Sequence, residues 1–197
     1  MSRYSDYDVY VDPDSGVLKN RFGITDAKLL EATEADLVAS RSRELALTPL
    51  AGDFNLAHLK AIHRYLFGDI YEWAGQLRTV DISKGNNHFA HHGHIQSAAE
   101  SIFQHLGNEK HLAGLDVRSF GTRAAYYLGE LNALHPFREG NGRAQRELIS
   151  HLAHKNGHYI AWEQVTQPVL LQASIASFHG DLSLLESVIQ SILESVE

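Results

Sequence analysis

No cysteine occurs in the 197 residues, which excludes disulfides, iron–sulfur clusters and thiol catalysis. That absence fits a reducing compartment, and a cytoplasmic location is expected. Positive charge is not in excess either: 17 Lys and Arg stand against 24 Asp and Glu, a formal net charge of −7. Direct nucleic-acid binding driven by charge is therefore not expected. No apolar run approaches the length of a membrane span, and the polar, acidic start MSRYSDYDVYVDPDSG has no signal-like apolar stretch. Repeats, low-complexity tracts and clear linkers are also lacking. With 44% hydrophobic residues the chain can bury a full core, and one domain over 1–197, its core about 25–195, is the economical expectation.

What is present is mostly helical periodicity. Residues 1–22 read as irregular, with turn chemistry at Asp12-Pro13-Asp14-Ser15-Gly16. Thr25 is a candidate N-cap for a helix carrying Leu29, Leu30, Leu37 and Leu45. A second helix is expected from about Asn55 to Trp73, with Leu56, Leu59, Ile62, Leu66 and Ile70 facing inward. Leu77–Ser83 is β-prone, Lys84-Gly85-Asn86-Asn87 is a turn signal, and His88-Phe89-Ala90 can return as a strand. Helices follow over Ile95–Leu106 and Val117–Leu134; the latter should stop near His135, because the residue before Pro136 is pushed out of the helical region. Another should open near Gly142 or Arg143 and close at Asn156-Gly157, with further helix at 167–177 and 183–195. The fold class expected is mainly α, with one small β-hairpin at about 79–90.

The segment His135–Arg146, HPFREGNGRAQR, is hard to explain as packing alone. Gly140-Asn141-Gly142 lies between two helical patterns, where successive backbone N–H groups and a helix dipole can make an anion site. Arg143 and Arg146 stand one turn apart at the helix start, where a cation costs roughly 0.3–1 kcal/mol. That placement makes sense if both hold a polyanion such as a triphosphate. Glu139, the one carboxylate in this positive cluster, suits a divalent cation such as Mg²⁺, and His135 suits a general base. Taken singly, each has an ordinary explanation: a turn, an exposed histidine, a solvated basic face, an ion pair. Taken jointly over twelve residues they favour a nucleotide-handling site. Phe137 is assigned to packing.

HPFREGNGRAQR resembles the Fic-domain signature His-x-Phe-x-Asp/Glu-Gly-Asn-Gly-Arg-x-x-Arg at every specified position. The stretches 8–24, 63–90 and 180–185 also look like parts of short bacterial Fic proteins. The resemblance implies a Fic-type helical bundle with a hairpin flap, and transfer of AMP from ATP to a Ser, Thr or Tyr hydroxyl of a target protein. It implies His135 as base, Glu139 as the Mg²⁺ ligand, and Gly140, Asn141 and Gly142 as the anion hole. Arg143 would meet the β-phosphate and Arg146 the γ-phosphate. Ile82, Ser83, Lys84 and Gly85 would form the flap edge that docks the target. The related Doc proteins, which phosphorylate, lack the second glycine; Gly142 is intact here, which favours adenylylation.

Many Fic proteins carry an inhibitory helix of pattern Ser/Thr-x-x-x-Glu-Gly/Asn. Only Glu44 has Ser or Thr four residues earlier (Ser40), and Leu45 follows it. The chain thus resembles the toxin of a toxin–antitoxin pair, restrained by a small separate antitoxin. His88, His91, His92 and His94 raise a zinc site, but with no Cys or carboxylate close in sequence none is expected there. Two alternatives to AMP transfer remain: another Fic-type transfer (a different nucleotide, a phosphate, or removal of AMP), or a non-catalytic nucleotide-binding module.

Overall fold

Asp26, one residue beyond the expected Thr25, starts helix α1 (Ala27–Leu47): its carboxylate accepts the Leu29 N–H at 2.8 Å. The computed structural model describes residues 8–85 and 87–196. The buried stripe of α1 is Leu30, Glu34, Val38 and Leu45; Leu29 is exposed, and a carboxylate stands within the stripe. Asn55 caps α2 (Leu56–Phe67) through the His58 N–H, and Leu59, Ile62 and Leu66 are buried as expected.

α2 ends at Phe67, not near Trp73. The chain instead makes successive turns from Phe67 to Gln76, with Ile70 and Tyr71 both bonded back to the Phe67 carbonyl. Ile70 still reaches the core, so the inward spacing persists although the helix does not. Gly75 closes these turns with φ of +80°, packed so tightly on α2 that a Cβ would lie 2.8 Å from Arg64 Cβ and 2.9 Å from the Lys60 carbonyl.

α3 (Ile95–Asn108), α4 (Val117–Leu134), α5 (Asn141–Lys155), α6 (Gln167–Phe178) and α7 (Ser183–Ile192) complete the helices. α4 is central and packs on α3, α5, α6 and α7, while α2 packs on α1, α3 and α5. The buried apolar side chains of all these helices join one cluster. No described helix is long and apolar enough to cross a membrane.

The hairpin is shorter than its sequence pattern. β1 (Ser83–Lys84) pairs antiparallel with β2 (Asn87–His88), and Asn86 of the expected turn lies outside the described residues. Arg78 and Thr79 stay out of the ladder because their backbone N–H groups bond elsewhere. The Arg78 N–H donates to the Pro136 carbonyl at 3.0 Å and the Thr79 N–H to the Tyr10 hydroxyl at 3.1 Å. A second strand pair was not expected: β3 (His158–Ile160) runs antiparallel to β4 (Leu193–Ser195), which replaces the last turn expected of α7.

Gly75→Ala is expected to lower the unfolding free energy by about 1–3 kcal/mol, since the turn demands positive φ and no Cβ. Urea titration followed by circular dichroism checks this; an unshifted midpoint would mean the turn can relax.

Candidate active site

The segment 135–146 leaves α4 and enters α5 through a loop that both helices hold rigidly. His135 caps α4 in a left-handed conformation (φ 48°, ψ 63°), uncommon for a residue other than glycine although histidine, like asparagine and aspartate, adopts it more readily than most. Its ring stacks on Phe89 of the hairpin's return, centroids 3.8 Å apart. Nδ1 lies 3.0 Å from the Asn132 carbonyl. A carbonyl only accepts, so Nδ1 carries the proton and Nε2 keeps its lone pair. Burial pushes the imidazole pKa down to about 4, with the charges of Lys84 and Arg78 acting in the same direction. At neutral pH His135 is therefore an uncharged imidazole able to accept a proton at Nε2.

Phe137 is fully buried and stacks on His63 at 3.8 Å. Asn141 staples the loop: its side-chain oxygen accepts the Phe137 N–H at 2.8 Å and its amide donates to the Phe137 carbonyl at 2.7 Å. Only the backbone N–H of Asn141 is thus left to face a ligand, not its side chain. Gly140 precedes α5 with φ of +77° and sits against the Phe67 ring, where a Cβ would come within 2.3 Å. No side chain caps α5. Its first-turn N–H groups, at Asn141, Gly142 and Arg143, have no acceptor within the helix, so the positive end of α5 can take an anion.

Glu139 is half-buried, and one of its oxygens accepts the Gly140 N–H at 2.9 Å. Burial alone would raise its pKa, but that hydrogen bond and the charges of Lys84, Arg143 and Arg138 outweigh it and hold the carboxyl below its ordinary value. An ionised oxygen donor anchored by one hydrogen bond fits a hard divalent cation such as Mg²⁺.

Arg143 lies over the Phe67 ring at 4.8 Å and pairs with Glu34 of α1; Glu139 is 3.8 Å from the same nitrogen. Arg146 stands 6.0 Å over Trp162, and among the described residues no carboxylate pairs with it. Burial and then the charge of Arg143 lower the Arg146 pKa. Gly142 leaves this guanidinium room, since a Cβ there would already lie 3.4 Å from Nη1.

The flap reaches the same place. Ile82 accepts the Phe89 N–H across the hairpin at 3.3 Å, Ser83 and Lys84 form β1, and Gly85 turns the chain at φ +60°. Lys84 is close enough for its charge to act on both His135 and Glu139.

Three supporting residues were invisible in the sequence. Arg78 is wholly buried and joins flap to loop, donating to the carbonyls of His135 at 2.8 Å, Val80 at 2.8 Å, Ala90, and Leu134 at 3.4 Å. His63 accepts the Gly75 N–H on Nδ1 and donates from Nε2 to the Glu139 carbonyl, each at 2.9 Å; burial brings its pKa down to about 4. Glu34 is the third. No local pattern marks any of them, because the partners that tie each to the loop 134–143 lie far along the chain.

The histidine cluster needs one correction, because Asp81 brings a carboxylate into it. Asp81 accepts the His92 N–H at 2.7 Å, lies 3.0 Å from His92 Nδ1, and stands 3.5 Å from His91 Nε2. These three residues could offer a cation one ligand atom each. As they stand, hydrogen bonds account for the His92 contacts, and His91 Nδ1 accepts the Gly93 N–H at 3.2 Å.

The chain belongs to the Fic/DOC family, which matches residues 53–153. It is 50% identical over 183 residues to the protein adenylyltransferase VbhT of Bartonella schoenbuchensis, covering 93% of this chain but only 38% of that protein's length. It is 39% identical to a Salmonella typhimurium protein described as a probable protein adenylyltransferase Fic, covering 94% of this chain and 92% of that one. Among solved structures, the Fic domain of a Bartonella quintana effector with bound ADP superposes with a TM-score of 0.91 at 28% identity, covering 95% of each chain. The BepC protein of Bartonella tribocorum with bound AMPPNP superposes equally well, TM-score 0.91, at 25% identity over 95% of this chain and 97% of that one.

His63 and His135 make stability depend on pH. Their folded pKa values, near 4, lie below the ordinary 6.5, so between those limits the unfolded chain binds more protons. Stability is then full above about pH 6.5 and is lost as pH falls toward 4, by up to about 3 kcal/mol for each group. Urea midpoints measured from pH 7.5 to 4 should fall, and His63→Phe should flatten the slope.

Proposed function

We propose that this chain transfers AMP from ATP to a Ser, Thr or Tyr hydroxyl of a target protein. The observation that carries the proposal is a neutral, oriented His135 beside an uncapped helix N-terminus that bears Arg143 and Arg146. The adenylyltransferase names of the relatives and the nucleotides bound to their structural counterparts support it. The acting unit is a single Fic domain spanning 1–197.

The reaction follows from the placement of the groups. His135 Nε2 takes the proton of the target hydroxyl as its oxygen attacks the α-phosphorus; a P–O bond forms, the bond to the β-phosphate oxygen breaks, and pyrophosphate leaves. The free backbone N–H groups of Asn141 and Gly142 face the phosphate oxygens, while the Gly140 N–H expected beside them is held by Glu139, with Arg143 on the β-phosphate and Arg146 on the γ-phosphate, so that positioning and charge neutralisation lower the barrier. Glu139 would hold Mg²⁺, which supplies further neutralisation of the phosphates. Space at Gly142 lets Arg146 lie undisplaced, which favours AMP over phosphate transfer.

β1 pairs with β2 along one edge only, and an extended target segment would add to its other edge, over Ile82–Gly85, presenting its hydroxyl to His135. Restraint would come from a small antitoxin whose glutamate covers Arg146. Glu44 is not that glutamate: it accepts from Tyr65 at 2.7 Å and pairs with Arg41 at 2.9 Å, on the exposed side of α1.

Incubation with α-labelled ATP, Mg²⁺ and cell lysate should label a protein band, and His135→Ala should reduce labelling at least about a hundredfold, as loss of a general base does. γ-Label should not be transferred. Transfer of the γ-label instead, or equal labelling by the His135→Ala protein, would overturn the reading.

A further inference from the structure

Glu34 belongs to α1, outside the residues that match the family, and no part of the proposed reaction uses it. It is nonetheless a buried carboxylate with both oxygens engaged. One accepts from the Tyr71 hydroxyl; the other lies 2.5 Å from Arg143 Nη2. Burial, then the Glu34 charge, raise the Tyr71 pKa, so this hydroxyl remains a donor. The guanidinium is fixed on a third side by the Phe67 ring beneath it.

The same Arg143 nitrogen has a second carboxylate within reach, Glu139 at 3.8 Å. A guanidinium offers several N–H groups in one rigid plane. With Nη2 taken by Glu34, that plane is fixed and its remaining donors are left for an incoming anion. Without Glu34, the nearest compensation for Arg143 is Glu139. Pairing there would withdraw both the arginine from the phosphates and the carboxylate from the cation.

We propose that Glu34, seated by Tyr71, is a positioning residue of the nucleotide site: it holds Arg143 in its phosphate-facing orientation and keeps it off Glu139. This rests on the reading of 135–146 as a Mg²⁺–ATP site. α1 thereby completes a site whose signature lies a hundred residues further along the chain.

Calorimetric titration with ATP at several Mg²⁺ concentrations tests this without any target protein. Glu34→Ala should weaken ATP binding about tenfold, the size of one charge-assisted contact, and should move the Mg²⁺ dependence to higher concentration. A merely structural role would lower the melting temperature but leave that Mg²⁺ dependence in place. Glu34→Gln keeps an acceptor for Arg143 and should restore most of the affinity. In an Arg143→Ala background, Glu34→Ala should cost nothing further. If the alanine variant does not fold, Glu34→Asp gives the same test, since it retains the charge one methylene short and should also bind ATP more weakly. Wild-type affinity and Mg²⁺ dependence in the variant read, or additive losses in the double variant, would overturn the proposal. Should ATP binding respond as described while no protein ever receives AMP, the role of Glu34 stands and the transferase reading falls.

Discussion

The arrangement of the site hangs on one buried cation. Burying a guanidinium costs several kcal/mol unless its donors are met, and Arg78 meets that cost chiefly with backbone carbonyls, helped by the Asp81 carboxylate 3.7 Å from Nη1. Two of these, Leu134 and His135, belong to the last turn and cap of α4, where helix carbonyls lack partners and the dipole is negative. The other two, Val80 and Ala90, flank the hairpin. One side chain thus caps the central helix, anchors the flap and fixes the backbone of the candidate base. The flap needs no long ladder because its two ends are tied at the same atom group, which explains why β1 and β2 are only two residues each.

His63 performs the matching task from α2. Burial keeps it neutral, so one nitrogen accepts and the other donates, and it links the Gly75 turn to the carbonyl of Glu139. A charged side chain could not do this: lysine has no acceptor and a carboxylate no donor. Its ring also lies between Phe67 and Phe137. The loop 136–140 is therefore held by hydrogen bonds and stacking at once, which gives Glu139 and Gly140 fixed positions before any ligand arrives.

What could be read in the sequence was whatever depends on neighbours in the chain. Apolar spacing and terminal signals located α3, α4 and α5, and Pro136 marked where α4 stops, beside His135. The density of glycine, arginine and carboxylate over 135–146 marked the candidate site. Ile70 misled because it continues the inward spacing of α2 through turns. Leu193 misled in the same way, being buried both as a continuation of α7 and as the first residue of β4. Arg78 could not be found at all: a basic residue in a β-prone run reads as a solvated position, and its partners at 134 and 135 are more than fifty residues away.

The two signature arginines are held differently, and the difference suits their places. Arg143, at the third position of α5, carries an unfavourable charge for a helix start, and Glu34 compensates it from α1. Arg146 lies one turn on, against an aromatic face and with no carboxylate among the described residues to pair with it. Its charge is raised in energy by burial and by Arg143, and an anion arriving over α5 relieves both. On the proposed reading, a fixed arginine near the helix end would set where a phosphate chain starts, while an uncompensated one beyond it would draw the distal phosphate outward. On that reading the charge of Arg146, unpaired by any carboxylate among the described residues, would be a source of ligand affinity, and a competing carboxylate placed there would act as a brake.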